Sequence, residues 1–160
     1  MAPPPASSLA ISDLSVCRFD QAYPLAKTAL PNLGLAAWRS FLFAHLEQAD
    51  SGLIAVENPR GVLLACAAYL ARSDLRRGRY LEVDPVIVMD LVGAGAVAKA
   101  LEEGLQHHAH RYGCSSMALQ LPHRAQAAAD DRAVSAFLGC GLSADSLRLY
   151  KRVETHHHAA

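Results

Sequence analysis

Residues 86–101 read VIVMDLVGAGAVAKAL. A β-branched apolar run passes through a glycine-rich turn into a stretch of helical spacing. Gly93 and Gly95 stand at the helix entrance, where glycine lets another group approach the backbone closely. The first N–H groups of a helix have no partner inside it and lie at the positive end of its dipole. Such a strand–turn–helix either cradles a phosphate or is a plain connection. With Ala98 in third place it also fits a dinucleotide fingerprint, but that fingerprint opens the first βα unit of a parallel sheet.

The residues upstream place it elsewhere. Residues 52–57 (GLIAVE) and 62–71 (VLLACAAYLA) bracket Asn58, Pro59, Arg60 and Gly61, a turn signal. SDLRRG at 73–78 is the next turn, and RYLEVDPVIVMD at 79–90 is a third, long strand. Turns this short force antiparallel pairing, since a parallel pair needs a long crossover. Pro85 cannot donate to a ladder, so a bulge or splayed edge is expected there.

Residues 14–19 (LSVCRF) read as a first strand. Helical spacing then runs from Asp20 to about Gln48, and Pro24 and Pro31 divide it into two helices. Leu35, Trp38, Leu42 and Leu46 form one stripe, with Trp38 in the core. Downstream, Val97, Leu101, Leu105, His108 and Tyr112 share a narrow arc of a helix over 96–112, which Gly113 stops. A strand at 115–121 follows. Asp130 or Asp131 then caps a helix through Leu138 with Val134, Phe137 and Leu138 inward. SLRLYKRV at 146–153 alternates as a last strand. The order β, α, α, β, β, β, α, β, α, β makes an α+β (mixed α/β) fold, a single domain over 11–154. Its central sheet is mostly antiparallel, with helices on both faces. A disordered lead (1–10) and tail (155–160) flank it.

Lys+Arg and Asp+Glu both number 15, so there is no electrostatic case for nucleic acid or an anionic membrane. No apolar run suits a spanning helix, and MAPPPASS at the start lacks the regions of a secretory leader. Cys17, Cys66, Cys114 and Cys140 form no C-x-x-C, which reads as reduced thiols in a cytoplasmic protein. His107, His108 and His110 lack matching ligands, so no metal is expected. Arg72, Arg76, Arg77 and Arg79 gather at the 73–78 turn, at the far end of the long strand from the glycines.

With these elements in place the chain resembles the GNAT superfamily of acyl-CoA-dependent N-acyltransferases over nearly its whole length. The loop Q/R-x-x-G-x-G/A of that family is matched by Asp90-Leu91-Val92-Gly93-Ala94-Gly95, with Asp90 in place of Gln or Arg. A second motif, N-x-x-A-x-x-F-Y-x-x-x-G-F, is matched by Asp130, Ala133, Ala136, Phe137, Gly141 and Leu142. There Phe137 stands where the family often has the tyrosine that protonates the departing thiolate.

The resemblance implies a splayed pair of strands with the backbone of Ile87, Val88 and Met89 along a pantetheine arm. Amides of Leu91, Val92, Gly93, Ala94, Gly95 and Ala96 would hold the pyrophosphate, and Phe137 would flank the sulfur. The cofactor implied is acetyl-CoA or another acyl-CoA, and the acceptor a primary amine of a small molecule or protein. Glu82 and Asp84, two apart on the central strand, are the candidate bases, with His123 as another. The other reading is a catalytically degenerate acyl-CoA-binding or interaction module. A homodimer through a sheet edge is compatible with either.

Overall fold

In a computed structural model, residues 8–89, 94–121, 130–146 and 148–153 are described. Five strands form one sheet in the order β1-β2-β3-β4-β5: β1 Ala10–Asp13, β2 Ser51–Glu57, β3 Leu63–Asp74, β4 Gly78–Val88 and β5 Ser116–Leu119. The first four pair antiparallel, and β5 joins β4 in parallel. Helices α1 (Phe19–Ala29) and α2 (Leu35–Leu46) precede β2, while α3 (Ala94–Arg111) and α4 (Asp130–Gly139) flank β5 in the chain. The mixed α/β domain expected from the sequence is therefore present.

The sheet separates two cores. Leu14, Phe19, Leu25, Trp38 and Leu42 pack with Leu53, Cys66 and Ile87 on one face. Leu101, Leu105 and Phe137 pack with Ile54, Leu81, Val83 and Val86 on the other. Trp38 is buried as expected, and its indole N–H donates to the Phe19 carbonyl at 2.9 Å. Leaving that donor unpaired in a dry core would cost about 1–3 kcal/mol. The α3 arc also holds: Val97, Leu101, Leu105 and His108 are all buried. Gly113, at φ +68°, ends it in the left-handed region that glycine enters freely.

Several elements differ from expectation. The first strand lies at Ala10–Asp13, not 14–19. Val16–Arg18 is a 3-10 turn, and Phe19 opens α1. Phe19, Ala22 and Ala26 are spaced as one helical stripe that buries together with Leu14, whereas AISD carries one large apolar residue, Ile11, and is bonded to β2 mainly through its backbone. Pro24 lies inside α1 rather than at its end, and the break falls at Leu30–Gly34. Helix α4 buries Phe137, but Val134 and Leu138 are exposed, because the helix rests mainly on α3 and offers it one narrow stripe. The last strand expected at 146–153 is not formed: its described residues enter no ladder.

The bulge at Pro85 is present. Val86 pairs with Ala67 but Val83 with Tyr69, so β4 carries one extra residue around Asp84 and Pro85. Past this point β4 and β5 part company: the parallel ladder ends at Val83–Leu119, and one more bond follows, from Val86 N–H to the Gln120 carbonyl at 3.1 Å.

Candidate functional site

The alternation of an antiparallel ladder decides which backbone groups face the gap between β4 and β5. Met89 N–H donates to the Leu64 carbonyl at 2.8 Å, so this pair stands at a hydrogen-bonded position of the ladder. Two residues back, Ile87 and Cys66 do the same, and the pairs between them, Val88–Ala65 and Val86–Ala67, do not. The polar groups of Val86 and Val88 therefore point away from β3, toward β5. Those of Val86 meet Gln120. Val88 faces the space where β5 has already ended. Of the three residues expected along the pantetheine arm, Val88 turns its backbone groups to that side, with no partner among the described residues; Ile87 is bonded to β3, and Met89 gives its N–H to Leu64.

Helix α3 begins five residues after Met89, the last described residue following β4. Its first residue is Ala94, two earlier than the spacing of apolar residues predicts. Ala94, Gly95 and Ala96 are therefore the first turn, whose N–H groups have no partners inside the helix. Gly95 is exposed, and a Cβ built on it meets nothing within 4 Å. The open approach to this turn is what a phosphate group would require. Asp90, Leu91, Val92 and Gly93 lie outside the described residues, as does His123.

The two candidate bases share the α1/α2 face of β4, as their spacing predicts, but their surroundings differ. Glu82 is engaged: Arg72 Nε lies 3.0 Å from its Oε2, and the Tyr80 hydroxyl donates to the same oxygen at 3.3 Å. Asp84 is beside the bulge and half-buried, and burial holds its carboxyl above the usual range. Arg148, with Nη1 3.6 Å from Oδ2, pulls it partly back, and Glu82 pushes it up. A partly desolvated carboxylate with one loose partner is the better proton acceptor. A cleft of about 280 Å³ opens over Tyr80, Glu82, Ala118 and Gln120, rimmed by Ser146 and Arg148, and Arg148 links its rim to Asp84. Tyr80 and Arg148 were not singled out by the sequence. Their signal is the step of two from Tyr80 to Glu82 in one case, and none in the other.

Phe137 is fully packed in the α3-side core. Its ring has no proton to give, and the thiol of Cys140 nearby is pushed up by burial, away from the reactive thiolate. The arginines of the β3–β4 turn are taken by carboxylates: Arg77 by Asp74 and Asp145, Arg76 by Asp145, Arg79 by Asp50. His107 and His110 are exposed, whereas His108 is buried with Nε2 2.8 Å from Asp13 Oδ1. No group of three metal-ligating side chains is assembled among the described residues, and no described helix is long and apolar enough to cross a membrane.

No protein-family model matches the chain, and no curated protein matches it in sequence. Solved structures do match. Aminoglycoside N-acetyltransferase AAC(6')-Iy in complex with CoA superposes with a TM-score of 0.75 at 16% identity, over 96% of this chain and 100% of that one. Ribosomal-protein-alanine N-acetyltransferase from Brucella melitensis biovar Abortus 2308 gives 0.69 at 17%, over 91% and 100%. Glucosamine-6-phosphate N-acetyltransferase from Arabidopsis thaliana gives 0.64 at 15%, over 92% and 99%. The chain has the fold of these enzymes, the GNAT fold anticipated from its element order.

Proposed function

We propose that the chain is an N-acyltransferase, most simply an acetyltransferase, that moves an acyl group from acyl-CoA to a primary amine. The observation that carries this is the parity of the β3–β4 ladder, which turns the backbone of Val88 toward the β5 side, a few residues before the first turn of α3. The amides of Val88 and of Ala94, Gly95 and Ala96 would hold pantetheine and pyrophosphate; we assign Leu91, Val92 and Gly93 to the same cradle on their sequence. Bound acetyl-CoA supplies a thioester carbonyl open to direct attack. Asp84 accepts the proton of the incoming amine, while Glu82, tied to Arg72 and Tyr80, sets the negative potential of the cleft wall. With Phe137 unable to donate, the proton for the departing sulfur comes from water.

Titration with CoA and acetyl-CoA tests this through the melting temperature. At a hundred times its dissociation constant a ligand of the native state adds about 2.7 kcal/mol of stability. No shift at millimolar CoA would refute the assignment. A second reading, an acyl-CoA-binding module without turnover, draws on Phe137, and a shift with no thiol release across an amine panel would establish it.

Two substitutions locate the cradle. Proline at 88 removes an N–H that points into the gap and leaves the ladder to β3 intact. Val88→Pro is expected to weaken CoA binding about tenfold, the worth of one well-placed hydrogen bond. Gly95→Val puts a side chain where the free protein has open space. It should abolish CoA binding with a stability change within about 1 kcal/mol. Isothermal titration and thermal melts read both, and unchanged affinity in both variants would move the site elsewhere.

A further inference from the structure

The guanidinium groups around the cleft over Glu82 and Gln120 are not equally occupied. Arg77 gives Nη1 to Asp74 and Nη2 to Asp145 and lies over the Tyr80 ring. Arg72 holds Glu82. Arg148 is held loosely. It lines the cleft, its side chain is 64% exposed, and its ion pair among the described residues is with Asp84. The 3.6 Å from Nη1 to Oδ2 is longer than an ordinary hydrogen bond.

This loose contact falls on the carboxylate that acyl transfer needs. An acceptor's ammonium must come to Asp84 where Arg148 now stands, and a plain amine would crowd two cations against one carboxylate. An acceptor with an anion beside its nitrogen removes the conflict. Its ammonium takes Asp84 while its anion takes the released guanidinium. A single planar guanidinium matches a carboxylate through two parallel N–H bonds. A phosphate would set a second negative charge near Glu82 and Asp84, and no other unengaged cation lines the cleft among the described residues. The volume of about 280 Å³ lies just under the usual range for ligand sites, about 300–1,000 Å³, which suits a small acceptor.

We propose, resting on the acyl-transfer reading, that the acceptor is a free α-amino acid, its carboxylate held by Arg148 and its amine set against Asp84. A chain N-terminus is set apart, because the group beside its amine is a neutral amide. The N–C bond forms as the C–S bond breaks. The acceptor's ammonium gives up two protons: one passes through Asp84 to solvent, and the other reaches the departing sulfur by way of water. Arg148 also draws the Asp84 carboxyl down against the effect of burial. Moving the guanidinium onto the substrate carboxylate makes Asp84 the stronger base only when an acceptor is in place.

Saturation-transfer NMR of the full chain, with the common L-amino acids at about 1 mM each and with or without CoA, should find one or more bound. None bound under either condition overturns the proposal. The matching amino-acid amide, which keeps the amine and loses the anion, should bind at least about tenfold more weakly; equal affinity overturns it. Arg148→Gln should weaken the acid by about tenfold to a hundredfold and bring it level with the amide, at an unchanged melting temperature. A variant that keeps the preference for the acid places the carboxylate elsewhere and overturns the role of Arg148. CoA affinity is read separately by the melting titration above. CoA binding without an amino acid sinks the acceptor assignment alone, and an amino acid bound without any CoA shift sinks the acyl-transfer reading.

Discussion

Asparagine at position 84 is expected to lower kcat for acetyl transfer by about 10²–10⁴-fold and to raise the melting temperature at pH 7. Both effects come from one cause. Burial beside the bulge holds the Asp84 carboxyl above its usual range, with Arg148 opposing it. A native carboxyl that keeps its proton to higher pH than the unfolded one contributes stability that is fully present below the unfolded value. That contribution is lost as pH rises through the folded value. At neutral pH the ionised group is a net cost, which the neutral amide removes. The pairing lost with Arg148 is worth little, because Arg148 is largely exposed and its Nη1 lies 3.6 Å from Oδ2.

The same sign governs the rate. Asp84 must lose its proton to act, so kcat falls on the acid side, at a pH raised from that of an ordinary aspartate by burial, and Asp84→Asn should erase that limb. Glu82→Gln is the contrast. Arg72 and the Tyr80 hydroxyl already engage that carboxylate, so its loss should leave the acid limb in place. A normal pH profile and kcat in Asp84→Asn would remove Asp84 from the chemistry, and a fall in Tm would contradict the account of its burial.

What could be read beforehand follows from how local each signal is. The apolar run and amphipathic arc within 86–112 are periodic over many residues, so strand and helix were legible, as was the bulge that Pro85 enforces. Edge elements carry less pattern. β1 pairs mainly by its backbone and has one large apolar side chain, so the stronger apolar stripe just after it drew the strand to the wrong residues. The alternation at 146–153 is real, but its described residues enter no ladder. Within the site, a spacing of two put Glu82 and Asp84 on one face. Their different partners depend on Arg72 from β3 and Arg148 from the far end of the chain, which no local window joins. Likewise the choice of Val88 over Ile87 and Met89 depends on the parity of the ladder, set by the bond from Met89 to Leu64.

Valine at position 52 is expected to lower stability by about 3 kcal/mol, the upper end for overpacking a core, and the melting temperature by roughly 6–12 °C. Gly52 is opposite Tyr69 in the β2–β3 ladder. A Cβ there would stand 2.3 Å from the Tyr69 hydroxyl oxygen and 2.5 Å from its Cζ. The ring has little room to yield: His108 is stacked on it with centroids 4.4 Å apart. Nor can the strand back away easily. On the opposite face the buried His45 Nε2 donates to the carbonyls of Tyr69 at 2.8 Å and Gly52 at 3.2 Å, which ties α2 to both strands. Displacing Tyr69 would disturb His108 as well, and with it the contact from α3 to Asp13 of β1. Gly34→Ala, where the added carbon meets nothing within 4 Å, should stay within about 0.5 kcal/mol. Pairing Gly52→Val with Tyr69→Leu should recover at least about 1 kcal/mol of the loss in a double-mutant cycle. Additive losses would place the cost of Gly52→Val outside the Tyr69 contact, and a Gly52→Val protein that melts with the wild type would show that the ring moves freely.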